Sequence, residues 1–227
     1  MSSQAGQTGP DSGLLMTAAD WDRLWKPNIF SLMRRGNDWH AGARSVHVGW
    51  IAELLQGVNC RGGSVAELGC GTALIARGLY ERYSLASGVV VDFSAKALAV
   101  AAANVAGTSI QAIQADLLEW ETAERFDLVL SVGLIEHFET AALDRIVRRH
   151  AELLRPGGHA VIIAPRQGWL WPALKVFNRP QGIIETPPRD EELFALLERS
   201  GLRLLRRKYY LWRMLIGVAA DHRPLSS

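Results

Sequence analysis

Beyond Gly36, short apolar runs alternate with helical patterns of apolar and polar positions. The runs are rich in Val, Ile and Leu and lack a polar face, which is typical of strands buried on both sides in a parallel sheet. The helical patterns between them predict helices on both faces of that sheet. The predicted strands are 64–68, 88–92, 108–114, 126–132 and 158–164, and the predicted helices are 73–83, 95–105 and 140–154.

Three segments fall outside this alternation. Residues 14–57 are rich in Trp and predict a helical N-terminal lid, and residues 165–188 predict an insertion after the fifth strand that caps a substrate site. The tail predicts a helix at 190–200 and two strands, 202–211 and 213–220, which we expect to form an antiparallel edge.

The sequence thus predicts a doubly wound, mostly parallel, seven-stranded α/β domain. We expect this single domain to span residues 14–227 and residues 1–13 to form a disordered tail. The net charge of +2 is too small to indicate a polyanionic partner. No apolar run approaches the ~20 residues of a membrane span, and no signal peptide is visible, so we expect a cytoplasmic protein with reduced Cys60 and Cys70.

The most informative stretch is the turn after the first predicted strand, where Glu67 precedes Gly69 and Gly71. Glycines permit a sharp turn and a close ligand, and the helix that follows offers free N–H groups. Nicotinamide dehydrogenases share such a turn. However, a carboxylate at Glu67 would repel their pyrophosphate, whereas it suits a ligand with an ammonium or sulfonium charge.

Two further acids end the next strands. Asp92 ends the second strand, where a carboxylate can accept both hydroxyls of a ribose. Asp116 ends the third strand, where it is suited either to bind an adenine amino group or to cap a short helix. A run from Phe126 through Asp, Leu and Val begins the fourth strand, and an Arg-Pro-Gly-Gly turn at 155–158 leads into the fifth.

This ordered set resembles the class I S-adenosylmethionine-dependent methyltransferases, over residues 60–165 most closely. The resemblance implies a Rossmann-like fold, S-adenosylmethionine as cofactor and S-adenosylhomocysteine as product. One departure is Ala73, where the family often has a third glycine. The implied cofactor-binding residues are Glu67, Gly69, Cys70, Gly71, Asp92, Phe93, Asp116, Leu117 and Ser131, with Ser131 beside the methionine amine.

The resemblance also places residues 133–137 beside the transferred methyl group, so His137 is the candidate general base. A structural histidine that closes the pocket is the alternative. Six of the eight Trp residues lie outside the sheet, in the lid and the cap, which favours an apolar or aromatic small-molecule acceptor methylated on oxygen or nitrogen. The candidate substrate contacts are Trp21, Trp25, Trp39, His40, Trp169 and Trp171.

Other interpretations remain open from the sequence. One is methylation of a lipid or quinone at a membrane surface, since the cap mixes Trp with basic residues. Another is a non-catalytic partner that retains the fold for binding. The basic and aromatic run 206–213 is more typical of an edge strand than of a nucleic-acid site. No acidic or histidine cluster in the sequence indicates a metal site, and whether a metal is needed stays open. The sequence does not indicate an oligomeric state.

Overall fold

The structure, a computed structural model, describes residues 13–24, 37–168, 171–172, 182–211 and 214–222. Seven strands form one sheet in the order β3-β2-β1-β4-β5-β7-β6. Strands β1 to β5 are parallel, and β7 pairs antiparallel with both β5 and β6. The strands are β1 (Ser64–Leu68), β2 (Ser87–Asp92), β3 (Ile110–Gln114), β4 (Phe126–Val132), β5 (Leu154–Pro165), β6 (Leu202–Tyr210) and β7 (Leu215–His222).

Helices cover both faces of the sheet, as the sequence predicts. The described α-helices are α1 (Ala18–Leu24), α2 (Asn37–Leu54), α3 (Leu74–Tyr83), α4 (Ala95–Val105), α5 (Thr140–Glu152) and α6 (Asp190–Arg199). Neighbouring side chains of β1 point to opposite faces of the sheet. Val65 packs in the hydrophobic cluster with α2 and α3, whereas Ala66 and Leu68 pack in the cluster with α5 and α6.

The doubly wound, seven-stranded prediction is confirmed, and most predicted bounds lie within two residues of the observed ones. The main difference is the fifth strand, which begins at Leu154 rather than at residue 158. Leu154 pairs with Phe126 before an irregularity in register, so the Arg-Pro-Gly-Gly sequence lies inside the strand. Gly157 there adopts a φ of 77°, the left-handed region that glycine tolerates best.

The antiparallel edge carries the described part of the basic run, and its charges are engaged within the protein. Arg206 donates to the carbonyl oxygens of Glu53 and Leu54 in the last turn of α2 and of Gln56 just beyond it. Lys208 pairs with Glu53 at 2.8 Å. These contacts give the run a structural role at the C-terminal end of a helix, where cations are favoured.

The N-terminal part of the chain lies over the carboxyl ends of the parallel strands. In α1, Asp22 accepts a hydrogen bond from Ser94 Oγ at 2.5 Å, and its carbonyl oxygen accepts one from Lys96. Leu14 forms an isolated bridge with Phe138, just beyond β4. Within the described ranges, no helix has both the length and the hydropathy needed to cross a membrane.

Candidate active site

A cavity of about 310 Å³ opens where β1, β2 and β4 end, at the edge of the sheet where ligands bind in this architecture. It contains eight of the nine candidate cofactor residues, together with His137 and Trp21. Its described lining is Leu14, Trp21, Glu67, Gly69, Cys70, Gly71, Thr72, Ile75, Asp92, Phe93, Asp116, Leu117, Val132, Gly133, Leu134, His137 and Phe138.

The glycine turn is held in left-handed backbone conformations. Gly69 and Gly71 have φ values of 64° and 50°, and Ala73 adopts 56° before α3 begins. A Cβ at Gly69 would lie 2.6 Å from Leu134 Cδ1, so a side chain there would collide with the cavity wall. Gly69 is therefore required both by the backbone and by the space.

Glu67 lies behind this turn and is only 2% exposed. Its Oε2 accepts a hydrogen bond from the backbone N–H of Ala76 at 2.9 Å, so the carboxyl caps the first turn of α3. Burial raises the pKa of Glu67 to about 8, and the nearby Asp92 adds to the rise. Among the described residues no basic side chain forms an ion pair with Glu67, so the carboxyl is mostly protonated at pH 7 and a bound cation would favour its charged form.

Asp92 ends β2 with both carboxylate oxygens directed at backbone donors. Oδ2 accepts from Gly71 N and Oδ1 from Ser94 N, each at 2.9 Å. Burial raises the pKa of Asp92 although these bonds favour the charged form. A carboxylate has about four acceptor positions, so two remain for ligand hydroxyls.

Asp116 follows β3 and both earlier interpretations apply to it. Its Oδ1 accepts from Leu118 N at 2.9 Å, and its carbonyl oxygen accepts from Trp120 N, so it stabilises the short turn after the strand. The residue also lines the cavity beside Leu117 and Phe93, which supply two apolar walls.

His137 also lines the cavity, at the end of a short 3-10 helix, Ile135–His137. Its Nδ1 is 2.9 Å from the carbonyl oxygen of Ile184, and because a carbonyl only accepts, Nδ1 carries the proton. Nε2 then keeps its lone pair. Burial lowers the pKa of His137, so the ring is neutral at pH 7. Trp21 packs edge-on against it, with ring centroids 4.9 Å apart.

With this geometry in place, comparison with known proteins is informative. Residues 65–158 match the family model for a methyltransferase domain. The ubiquinone biosynthesis O-methyltransferase of Alkalilimnicola ehrlichii is 29% identical over 116 residues, which make up 49% of this chain and 44% of that protein. The enzyme of the same name from Pseudomonas fluorescens SBW25 is 29% identical over 50% of this chain and 47% of its own length. The chain thus spans less than half the length of these relatives.

Solved structures show the same fold. The magnesium protoporphyrin IX methyltransferase of Synechocystis, solved with bound S-adenosylhomocysteine, has a TM-score of 0.67 at 16% identity over 90% of this chain and 94% of that one. The N-methyltransferase NodS of Bradyrhizobium japonicum, also with S-adenosylhomocysteine, has a TM-score of 0.65 at 16% identity over 91% and 97%. Residues 65–158 thus resemble a methyltransferase domain, and the chain has the fold of these two methyltransferases.

One candidate residue of the methyltransferase domain lies elsewhere. Ser131 is fully buried, and its Oγ is 2.9 Å from Nε2 of His150 on α5. Side chains alternate along β4, so Ser131 shares the α5 face with Val129 and is not part of the cavity lining. The side chain of Ser131 is thus engaged within the core, and its proximity to the methionine amine stays a prediction.

The candidate substrate residues have mixed outcomes. Trp21 lines the cavity. Trp171 is 8% exposed and is not part of that lining, so the structure does not place it against an acceptor. Trp25 and Trp169 lie outside the described residues, and so do the side chains of Trp39 and His40, although their backbone belongs to α2.

Sequence reasoning missed several residues of the methyltransferase domain. Leu14 and Phe138 line the cavity because the bridge between them brings the N-terminal segment over β4. Glu136 is 2% exposed, and its carboxyl lies 3.4 Å from where a Cβ of Gly133 would be. An acid directly after the apolar pair Leu134-Ile135 was the available signal for it.

Proposed function

We propose that this protein transfers a methyl group from S-adenosylmethionine to the oxygen or nitrogen of a small apolar or aromatic acceptor. One observation carries the proposal. One cavity is lined both by the carboxyl groups of Glu67, Asp92 and Asp116 and by a histidine among apolar side chains.

The acidic side fits the cofactor. Glu67 is a buried acid that becomes charged when the cationic methionine portion binds beside it, and Asp92 has acceptor positions for the ribose hydroxyls. We assign the adenine to Asp116 and Leu117, which line the same cavity. When bound, S-adenosylmethionine supplies a methyl group already activated by its sulfonium, so the protein mainly aligns the acceptor and excludes water.

The apolar side fits the acceptor. Leu14, Trp21, Leu134 and Phe138 offer contact area without a charge, which favours a neutral ring or chain over an acid or a polyanion. His137 holds a proton on Nδ1 and directs a lone pair from Nε2, so it accepts the proton that a hydroxyl or amine loses during methylation.

A quinone-related hydroxyl is the second candidate acceptor, favoured by the names of the curated relatives. The test is a screen for S-adenosylhomocysteine release with phenols, aromatic amines and carboxylic acids, including phenols with and without a long alkyl chain. We expect turnover with phenols or amines. Turnover only with the alkylated phenols, together with co-sedimentation on liposomes, would favour the second candidate. A folded protein that binds cofactor and methylates no member of the panel would contradict both.

A further inference from the structure

A cluster of metal-ligating side chains lies next to the cavity. Glu136, His137 and Glu185 each present one ligand atom, and the three atoms lie within 4.8 Å of one another. The sequence shows no such cluster, because Glu185 is far along the chain from the other two.

Backbone contacts hold the cluster together. The residues on either side of Glu185 both bond to the short helix after β4: Ile184 O lies 2.9 Å from His137 Nδ1, and Thr186 N donates to Glu136 O at 2.7 Å. The chain is therefore fixed immediately before and after Glu185. This prior ordering favours metal binding, because the free energy of binding is then not spent on ordering the ligand side chains.

Glu136 is an independent sign that a group is missing here. The residue is 2% exposed, and its Oε2 has no hydrogen-bond partner among the described residues. None of those residues forms an ion pair with it either. Unpartnered buried oxygens are rare because their desolvation is costly, and a second carboxylate, Glu185, lies beside this one. The unpartnered oxygen of Glu136 therefore needs either a positive charge or a proton.

We propose that Glu136, His137 and Glu185 bind one divalent cation at the acceptor side of the cavity. Two carboxylates and one imidazole are a mixed oxygen and nitrogen set, which suits Mn²⁺, Co²⁺ or Zn²⁺ better than Ca²⁺. His137 also lines the cavity, so the ion lies next to the proposed acceptor. Because Nδ1 of His137 donates to Ile184 O, the residue ligates the ion through Nε2 and does not serve as the base while the ion is bound. The contribution of the ion to catalysis, which rests on the proposed function, is to lower the pKa of an acceptor hydroxyl, whose proton is released to solvent.

Binding is tested apart from catalysis, with the full chain treated with a chelator and dialysed. MnCl₂, ZnCl₂ and CaCl₂ are titrated separately by calorimetry at pH 7.5, and bound metal is counted by elemental analysis. We expect one Mn²⁺ or Zn²⁺ per chain, with Ca²⁺ weaker. Glu185→Gln should weaken binding by at least about tenfold, whereas Glu191→Gln, an exposed acid on α6, should leave it unchanged.

The refuting results are specific. A folded wild-type chain that takes up none of the three ions would mean that Glu136 is satisfied by a proton, and the proposal would fail. Equal affinity in wild type and in Glu185→Gln, both with cooperative melting curves, would also overturn it. Failure of the acceptor screen would contradict the proposed function without affecting these titrations, so the two conclusions fail separately.

Discussion

Replacing Glu67 by Gln should stabilise the cofactor-free protein, although it removes a residue of the proposed cofactor site. The side chain is 2% exposed, and its one described hydrogen bond is accepted from Ala76 N. A glutamine of the same shape retains that acceptor. The substitution therefore removes the charge and preserves the cap of α3.

The magnitude follows from the pKa of Glu67, which burial raises from 4.5 to about 8. Between these values the folded chain holds a proton that the unfolded chain has lost, so stability falls as pH rises through this window. At pH 7 the carboxyl is ionised in the unfolded chain and must take up a proton on folding. Because pH 7 lies about 2.5 units above the unfolded pKa of 4.5, this uptake costs roughly 3 kcal/mol at 1.36 kcal/mol per unit. Glu67→Gln avoids this cost, equivalent to a rise in Tm of roughly 6–12 °C for a chain of this size.

The assay is thermal unfolding of wild type and Glu67→Gln from pH 4 to pH 8 without cofactor. We expect the two melting curves to coincide near pH 4 and to separate progressively above pH 5, with the variant higher. Glu121→Gln, which alters an exposed acid, should show no such separation. If Glu67→Gln melts below wild type at pH 7, or if its difference from wild type does not change with pH, then Glu67 is not an acid that folding forces to be neutral.

Three further substitutions test the site. Asp92→Ala should weaken S-adenosylhomocysteine binding by about 1–3 kcal/mol in calorimetry through lost ribose hydrogen bonds, and unchanged affinity would refute that role. Gly69→Ala should lower stability and cofactor affinity more than Gly107→Ala: both have positive φ, but the new Cβ collides with Leu134 at the first position and meets open space at the second. His137→Ala should lower turnover by about 10²-fold or more with cofactor affinity nearly unchanged, and normal turnover at pH 7 would make it a structural residue.

The sequence predicted those features of the fold that depend on local pattern. Apolar runs located the strands, and an acid directly after a run located Glu67 and Asp92 at the cavity. Prediction from the sequence failed where the position of a side chain depends on strand pairing or on contacts with residues far along the chain. The bond of Ser131 to His150 could not be predicted, because it depends on how α5 packs against β4. Glu185 was missed because only the folded chain brings it to Glu136.

The anchoring of α2 by the last antiparallel strands has a consequence for biosynthesis. Arg206 and Tyr210 of β6 bond to carbonyl oxygens of α2 and its C-terminal end, and Tyr210 stacks on Trp50 with ring centroids 4.4 Å apart. A helix translated early thus depends on a strand translated late. Val48 and Ile51 share a cluster with Val65 and Leu79, which are translated soon after them, but the contacts to β6 and β7 form only when nearly the whole polypeptide has left the ribosome. Truncation just before β6 would leave the C-terminal end of this helix without its contacts to Arg206 and Tyr210, and such nascent chains should depend more on chaperones.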